Sequence, residues 1–234
     1  MPSVLAGLKD VMLHLFFPQL CPGCGRELPL TNTVLCSSCL LNLAPTGFAG
    51  IAGNPVEKKF WGRIPVVSAS ACFHFRSGTL IQHLIHRFKY RSDRELCLQL
   101  GRLMGNSLAG NDRFKADFLV PLPLFADREH KRGYNQAAVL CEGISSVMAI
   151  PVESNLVWRI RHTDTQTRMT RTERWLNMEG RFAVRGDARF ENKHLLLVDD
   201  IVTTGATLEA CGQELLKIPG VTISITTLCY ASQM

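Results

Sequence analysis

The residues best suited to chemistry lie near the end of the chain, where 195–208 read Leu195-Leu-Leu-Val-Asp199-Asp200-Ile-Val-Thr203-Thr204-Gly205-Ala206-Thr207-Leu208. An apolar run that suits a buried strand ends on two carboxylates. A short loop bearing hydroxyls and a glycine then opens a helix. In open α/β sheets, ligands sit at the carboxyl ends of the strands. The first turn of a helix offers unpaired N–H groups and the positive end of its dipole, which suits a phosphate. Gly205 lets the backbone approach an anion with no Cβ in between. Thr203, Thr204 and Thr207 add hydroxyl donors, and Asp199 and Asp200 can accept hydrogen bonds from a sugar diol. Singly, each feature is an ordinary capping group. The whole set in this order describes a seat for a ribose 5-phosphate. No Gly-Lys-Ser/Thr follows, which excludes a Walker A loop, and no G-x-G-x-x-G is present, which excludes a dinucleotide fingerprint.

A second constellation stands near the other end. Cys21, Cys24, Cys36 and Cys39 form C-x2-C-x11-C-x2-C. Two such knuckles place four thiolates around a tetrahedral Zn2+, and Gly23 and Gly25 permit the tight turns. So small a segment has little core, so a bound metal would supply its folding energy and the role of Zn2+ is structural. Redox dithiols or an iron–sulfur cluster are the alternatives. Lys58, Lys59 and Arg63, with Phe60 and Trp61 among them, suit either a nucleic-acid strand or a hydrophobic seam between two modules.

The elements that position these groups follow from periodicity. Leu5, Leu8, Met12 and Leu15 share one face of an amphipathic helix expected over Val4–Leu20. Lys9 and Asp10 interrupt its apolar character, and the flanks of a signal peptide are missing, so no membrane insertion is expected. Residues 44–65 hold a density of Pro and Gly that marks a connector. Strands are expected at Val66–Phe75, Asp117–Leu122, Val152–Val157, Leu195–Val198 and Val221–Tyr230. Helices are expected at Leu80–Tyr90, Glu95–Leu108, Tyr134–Met148, Arg171–Met178 and Ala206–Lys217. Alternation of strand and helix from about residue 117 onward predicts an α/β fold, a parallel sheet flanked by helices. The expected organisation is a helix and four-cysteine zinc-ribbon module over 1–44, a linker over 45–63 and an α/β domain over 64–234.

The 234 residues are 46% hydrophobic and 20% charged, which argues for a real core and against disorder. The formal charge of +6, from 26 basic and 20 acidic residues, fits a phosphate-bearing ligand or nucleic acid without choosing between them. Nine cysteines, five of them scattered singly, read as a reduced, cytoplasmic protein rather than a disulfide scaffold. His83 and His86 stand three apart on an expected helix and read as ordinary surface residues.

The stretch 195–208 resembles the phosphoribosyl pyrophosphate (PRPP) signature of type I phosphoribosyltransferases. The resemblance implies that Asp199 and Asp200 contact the ribose hydroxyls as the catalytic acids. It implies that Thr203, Thr204, Gly205, Ala206 and Thr207 wrap the 5-phosphate. Three further segments narrow it: Phe88-Lys89-Tyr90-Arg91, Val120-Pro121-Leu-Pro123 with Arg128 to Gln136, and Arg161 to Phe182. With the zinc-ribbon module, they resemble the ComF family of competence proteins nearly end to end. The family pattern implies a pyrophosphate loop lined by Arg132, Gly133 and Asn135. It also implies a loop over 161–175, carrying Arg161 and Arg171, that closes over PRPP. Lys89 and Arg91 become ligand-edge residues, and Mg2+ accompanies PRPP. Where purine-salvage relatives carry an acid this chain has Thr203, which cannot act as a general base at neutral pH, and no glutaminase-like region is present.

Three functions compete. The first is a PRPP-binding protein acting in DNA uptake, as the resemblance implies. The second is a metabolic phosphoribosyltransferase with an unidentified acceptor. The third is a non-catalytic PRPP sensor, or an adaptor that binds single-stranded DNA or other competence proteins.

Overall fold

The computed structural model describes residues 18–29, 33–160 and 182–232. In chain order its elements are α1 (Ser37–Leu41), α2 (Pro55–Lys58), β1 (Ala69–Phe75), α3 (Leu80–Tyr90), α4 (Arg94–Leu108), β2 (Phe118–Pro121), α5 (Ala126–Arg132), α6 (Gln136–Met148), β3 (Val157–Arg159), β4 (Phe182–Val184), β5 (His194–Val202), α7 (Ala206–Leu215) and β6 (Thr222–Ala231). Four strands form one parallel sheet in the order β1-β6-β5-β2, while β3 and β4 pair antiparallel beside it. This is the type I phosphoribosyltransferase-like arrangement of a helix-flanked parallel sheet.

Strand β5 explains why the sheet is central. Leu195, Leu196, Leu197 and Val198 are all fully buried, as expected where helices cover both faces. Successive side chains alternate between two cores. Leu196 and Val198 join Phe73, Leu119 and Leu228 under α3, α4 and α6. Leu195 and Leu197 join Val120, Ile223 and Ile225 under α7. Each buried leucine contributes about 1.5–3 kcal/mol relative to exposure.

Helix α3 buries Ile81, Leu84, Ile85 and Phe88, the i, i+3, i+4, i+7 stripe of an amphipathic helix. Asp93 caps α4 by accepting from Leu96 N at 3.2 Å, and its other oxygen accepts from Arg87 Nε at 2.6 Å. Helices α4 and α6 touch at glycines. A Cβ on Gly143 would stand 2.5 Å from the Leu98 carbonyl oxygen, and one on Gly101 would stand 2.5 Å from that of Leu140.

Several elements depart from the expected ones. Residues 45–63, expected as a linker, are folded against the sheet. Asn54 Oδ1 accepts from Val56 N and Glu57 N, and its Nδ2 donates to the carbonyls of Phe48, Ile51 and Ala69. Val56 and Phe60 are fully buried in the α7-side core. The prolines and glycines there set tight turns between apolar residues, and a helix of one turn leaves no periodicity to read. Strand β5 runs on through Asp199 and Asp200 to Val202, because its register with β6 continues to Tyr230. Val152 forms only a bridge to Leu119, and the strand proper starts at Val157. Helix α5 has no counterpart among the expected elements, and it buries none of its residues. Pro18, Gln19 and Leu20 are not helical, and Leu20 bridges to Glu27. The rest of the amphipathic helix expected over Val4–Leu20 and the helix expected over Arg171–Met178 lie outside the described residues. No helix among the described residues is long and apolar enough to cross a membrane.

Candidate ligand site at the sheet edge

The strand period sends the two acids to opposite faces. Asp199 is in phase with Leu195 and Leu197, and Asp200 with Leu196 and Val198. Each is countered by a cation, Asp200 at contact distance and Asp199 through space. Lys89 Nζ, at the end of α3, lies 2.5 Å from Asp200 Oδ2, with both side chains less than a fifth exposed. On the other face Arg159 is the facing charge. Its guanidinium packs 4.4 Å from the centre of the Phe125 ring and 4.6 Å from that of Phe182, and its Nε donates to the Pro123 carbonyl at 2.8 Å. Burial lowers the Arg159 pKa, with Asp199 opposing that change. Asp199 Oδ1 accepts from Asp200 N at 2.8 Å. Burial, and then the charge of Asp200, push the Asp199 carboxyl up to about 8, against the opposing pull of that N–H, Lys89 and Arg159.

The loop after β5 behaves as its sequence suggests. Gly205 takes φ +82°, a left-handed conformation open chiefly to glycine, and caps α7 without a side-chain bond. Within that first turn Ala206 N donates to Thr204 Oγ1 at 3.3 Å. Thr203, Thr204, Gly205, Ala206 and Thr207 line, with Asp199, a cavity of about 50 Å3. The floor of this loop comes from the segment expected to be a linker. A Cβ on Gly205 would stand 3.1 Å from Phe60 Cε1. Arg63 donates to the Thr204 carbonyl at 2.9 Å and to that of Lys59 at 3.1 Å, and pairs with Glu209 in the first turn of α7.

Across the sheet edge, the turn between α5 and α6 follows β2. Gly133 ends α5 at φ +82°. Asn135 caps α6 and donates to the Leu122 carbonyl at 3.1 Å, which ties the turn to the end of β2. Arg132 Nη1 donates to Gln136 Oε1 at 2.9 Å. Arg132, Gly133 and Asn135 thus share one turn at the carboxyl end of the sheet, beside the strand that carries the acids. Arg161 and Arg171 lie outside the described residues, as does most of the 161–175 loop expected to close over the ligand.

The four cysteine sulfurs lie within 4.8 Å of one another. Tetrahedral Zn–S bonds of about 2.3 Å put sulfurs roughly 3.8 Å apart, and Cys24 and Cys36 Sγ stand at 3.6 Å. Cys36 N donates to Cys21 Sγ at 3.4 Å, and Cys39 N donates to Cys36 Sγ at 3.4 Å. Backbone donors aimed at sulfur favour thiolate. The donor set therefore fits a structural metal and a zinc-ribbon-type module. The module sits on α3. A Cβ on Gly23 would stand 2.9 Å from Leu80 Cδ1, and His83 Nε2 is 3.0 Å from the Pro22 carbonyl.

Comparison with known proteins agrees with this architecture. Residues 135–233 match the family described as the phosphoribosyl transferase domain. Over 220 residues the chain is 27% identical to Competence protein F of Haemophilus influenzae, covering 87% of this chain and 93% of the relative. It is 29% identical over 215 residues to DNA utilization protein YhgH of Escherichia coli K12, covering 90% and 83%. Competence protein ComFC of Bacillus subtilis is 31% identical over 139 residues, covering 59% and 54%. Along most of its length the chain is therefore similar to competence and DNA utilization proteins of the ComF type.

The sequence motif leads to the acids and to the loop after β5 but not to their partners. Lys89 stands out only through its place in the Phe88-Lys-Tyr-Arg stretch. Arg159 reads as one more basic residue ahead of a loop, and β3 places it where its charge acts on Asp199. Arg63 and Phe60 read as a nucleic-acid surface or a seam. They brace the loop, from a distance of more than a hundred residues in sequence. Trp61 is open to solvent, at 60% exposure.

Proposed function

We propose that this protein binds PRPP at the carboxyl edge of its sheet and acts in DNA uptake. The observation that carries the reading is the joining, at one edge, of a helix start behind a left-handed Gly205 with two acids countered from opposite faces. In this reading Asp199 and Asp200 accept hydrogen bonds from the ribose hydroxyls as the catalytic acids. Thr203 to Thr207 hold the 5-phosphate, where helix dipole and N–H donors meet an anion. Arg132, Gly133 and Asn135 take the pyrophosphate, with Arg161 and Arg171 joining them from the loop that follows. Mg2+ bound with PRPP would offset leaving-group charge. The names of the relatives, competence and DNA utilization proteins, support the biological assignment. Zn2+ is the metal we assign to Cys21, Cys24, Cys36 and Cys39, in a protein of the reducing cytoplasm.

Two other readings compete with it. A metabolic phosphoribosyltransferase would displace pyrophosphate at C1 with an acceptor. An adaptor would use the exposed Trp61, with Lys58 Nζ 5.9 Å from its ring centre, to hold single-stranded DNA. The deciding experiment is calorimetric titration of the zinc-loaded protein with PRPP and Mg2+, beside Asp199→Asn/Asp200→Asn. Binding in the micromolar range, about −8 kcal/mol, is expected for the intact protein and should vanish in the double variant. An intact protein that binds no PRPP overturns the reading.

A further inference from the structure

The Lys89–Asp200 pair is not a surface ion pair. Both side chains are mostly withdrawn from water, and a lysine stem is entropically expensive to fix. The structure fixes it from several sides. Phe88, its neighbour in α3, is fully buried, and its carbonyl accepts from Tyr134 Oη at 2.9 Å. Ser92, just past the helix, holds a left-handed φ of +53°. Its Oγ donates to the Arg132 carbonyl at 3.2 Å. A non-glycine residue in that region costs roughly 1–2 kcal/mol and persists only where its surroundings demand it. The end of α3 is therefore tied to Arg132 and Tyr134 on the α5–α6 turn and, through Lys89, to Asp200 on β5. The ammonium meets the carboxylate at Oδ2, and an ionised carboxylate has further lone pairs with which to accept from a ligand.

We propose that Lys89 is a residue of the ribose seat: it holds Asp200 by one oxygen so that the other accepts a ribose hydroxyl, and the end of α3 forms a wall of the site. The inference rests on the PRPP reading above. An ammonium at this distance orients the carboxylate and offsets its charge toward an anionic ligand. Tyr134 is a positioning residue that acts through Lys89.

The test compares Lys89→Met, Lys89→Arg and Tyr134→Phe by calorimetry with two ligands, PRPP with Mg2+ and ribose 5-phosphate. Both carry the ribose hydroxyls, and only one carries the diphosphate. Lys89→Met should weaken both ligands by the same factor, about 30-fold, as expected when one partner of a withdrawn charge pair is removed. Lys89→Arg should recover most of that loss. Tyr134→Phe should weaken ribose 5-phosphate about threefold alone and not at all in the Lys89→Met background, because the two act in series. Equal binding by Lys89→Met and the intact protein overturns the proposal while leaving the PRPP reading standing. A loss confined to PRPP also overturns it, since Lys89 would then serve the diphosphate. An intact protein that binds neither ligand removes the PRPP reading itself, and the proposal with it.

Discussion

The ring of Phe60 lies against Gly205, so that a Cβ on the glycine would approach Phe60 Cε1 to 3.1 Å and Cζ to 3.3 Å. The glycine that shapes the loop after β5 is thus supported by a fully buried aromatic from the segment before the first strand. Two constraints act on Gly205 together: the left-handed φ of +82° and the space beneath it. Gly205→Ala should lose roughly 1–2 kcal/mol of stability from the backbone conformation alone. It should also lose at least about tenfold in PRPP affinity, a change of about 1.4 kcal/mol, as the loop moves off its floor. Urea unfolding and calorimetry on the same sample separate the two effects. Unchanged affinity in a folded Gly205→Ala protein would mean that the loop does not hold the 5-phosphate.

Asp199 predicts a pH dependence with a definite sign. Its folded carboxyl is raised to about 8 from 3.8, so between those values the folded state holds a proton that the unfolded state has released. The group's favourable contribution is complete below about pH 4 and is lost as pH rises through 8. Asp199→Asn, which cannot ionise, should therefore gain on the native protein as pH rises and level off above 8. Each tenfold change in proton affinity corresponds to about 1.4 kcal/mol, which bounds the effect at roughly 6 kcal/mol, and solvent screening brings it to a few. Thermal unfolding at pH 5, 7 and 9 should show a melting-temperature gain of about 5–10 °C at pH 9 and little at pH 5. A gain of the same size at every pH would show that Asp199 is not held in a charge-disfavouring setting.

The legibility of this protein divides by the distance over which the signal acts. The motif at 195–208 needs only strand period, helix start and one glycine, all local, and each is readable. Helices α3 and α4 follow from stripes of apolar residues, and their expected bounds lie within one residue of those found. The salt bridge between Lys89 and Asp200 joins α3 to β5, and no spacing rule links positions so far apart. Residues 45–63 mislead for a different reason. Turn-forming residues report where the chain bends, but only tertiary contact decides whether the pieces between the bends are buried. Here Val56 and Phe60 are fully buried. Helix α5 escapes because it buries nothing, so its sequence carries no periodic face.

Cys36 has two tasks in the metal module. Its sulfur stands 3.6 Å from that of Cys24, and it accepts from Cys39 N at the start of α1. Cys36→Ser should reduce bound zinc from one equivalent to near none and loosen residues 18–44. Leu28, Leu35 and Leu43 share a core with α3, so loosening should also reach the sheet domain. Plasma emission spectrometry with proteolysis of the same sample measures both. Metal retained at one equivalent would exclude Cys36 as a ligand.

The contact between α4 and α6 sets a sharp test of packing. In an exposed helix, Gly→Ala is favourable by about 1 kcal/mol. At Gly143 the new methyl would stand 2.5 Å from the Leu98 carbonyl oxygen and 2.7 Å from Arg102 N, both backbone atoms that cannot turn aside. The helices would have to separate, so Gly143→Ala should destabilise by about 1–3 kcal/mol or more. Gly186 has open space around its would-be Cβ, and Gly186→Ala should change stability by less than about 0.5 kcal/mol. Chemical denaturation of the pair checks the sign at each site. A stabilised Gly143→Ala would mean that the helices do not meet as described.

Single-stranded DNA binding makes a separate demand on the surface around Trp61. Its ring is 60% exposed with Lys58 Nζ 5.9 Å from its centre, while Lys59 Nζ lies 5.1 Å from the centre of the Tyr230 ring. Phe60 is buried and Arg63 is committed to Thr204 and Glu209, so neither is free to join a strand. The adaptor reading therefore rests on one stacking platform and two lysines. Stacking on an aromatic contributes about 1–3 kcal/mol per base, so Trp61→Ala should weaken an oligothymidylate by roughly tenfold or more. Two phosphate contacts should give a slope of log K against log salt near −1.4, at about −0.7 per contact for single strands. Lys58→Met should lower the magnitude of that slope by about 0.7. Fluorescence anisotropy at three salt concentrations measures all three quantities. Binding that ignores salt and survives Trp61→Ala would place any DNA site elsewhere on the protein and leave PRPP as the ligand of this edge alone.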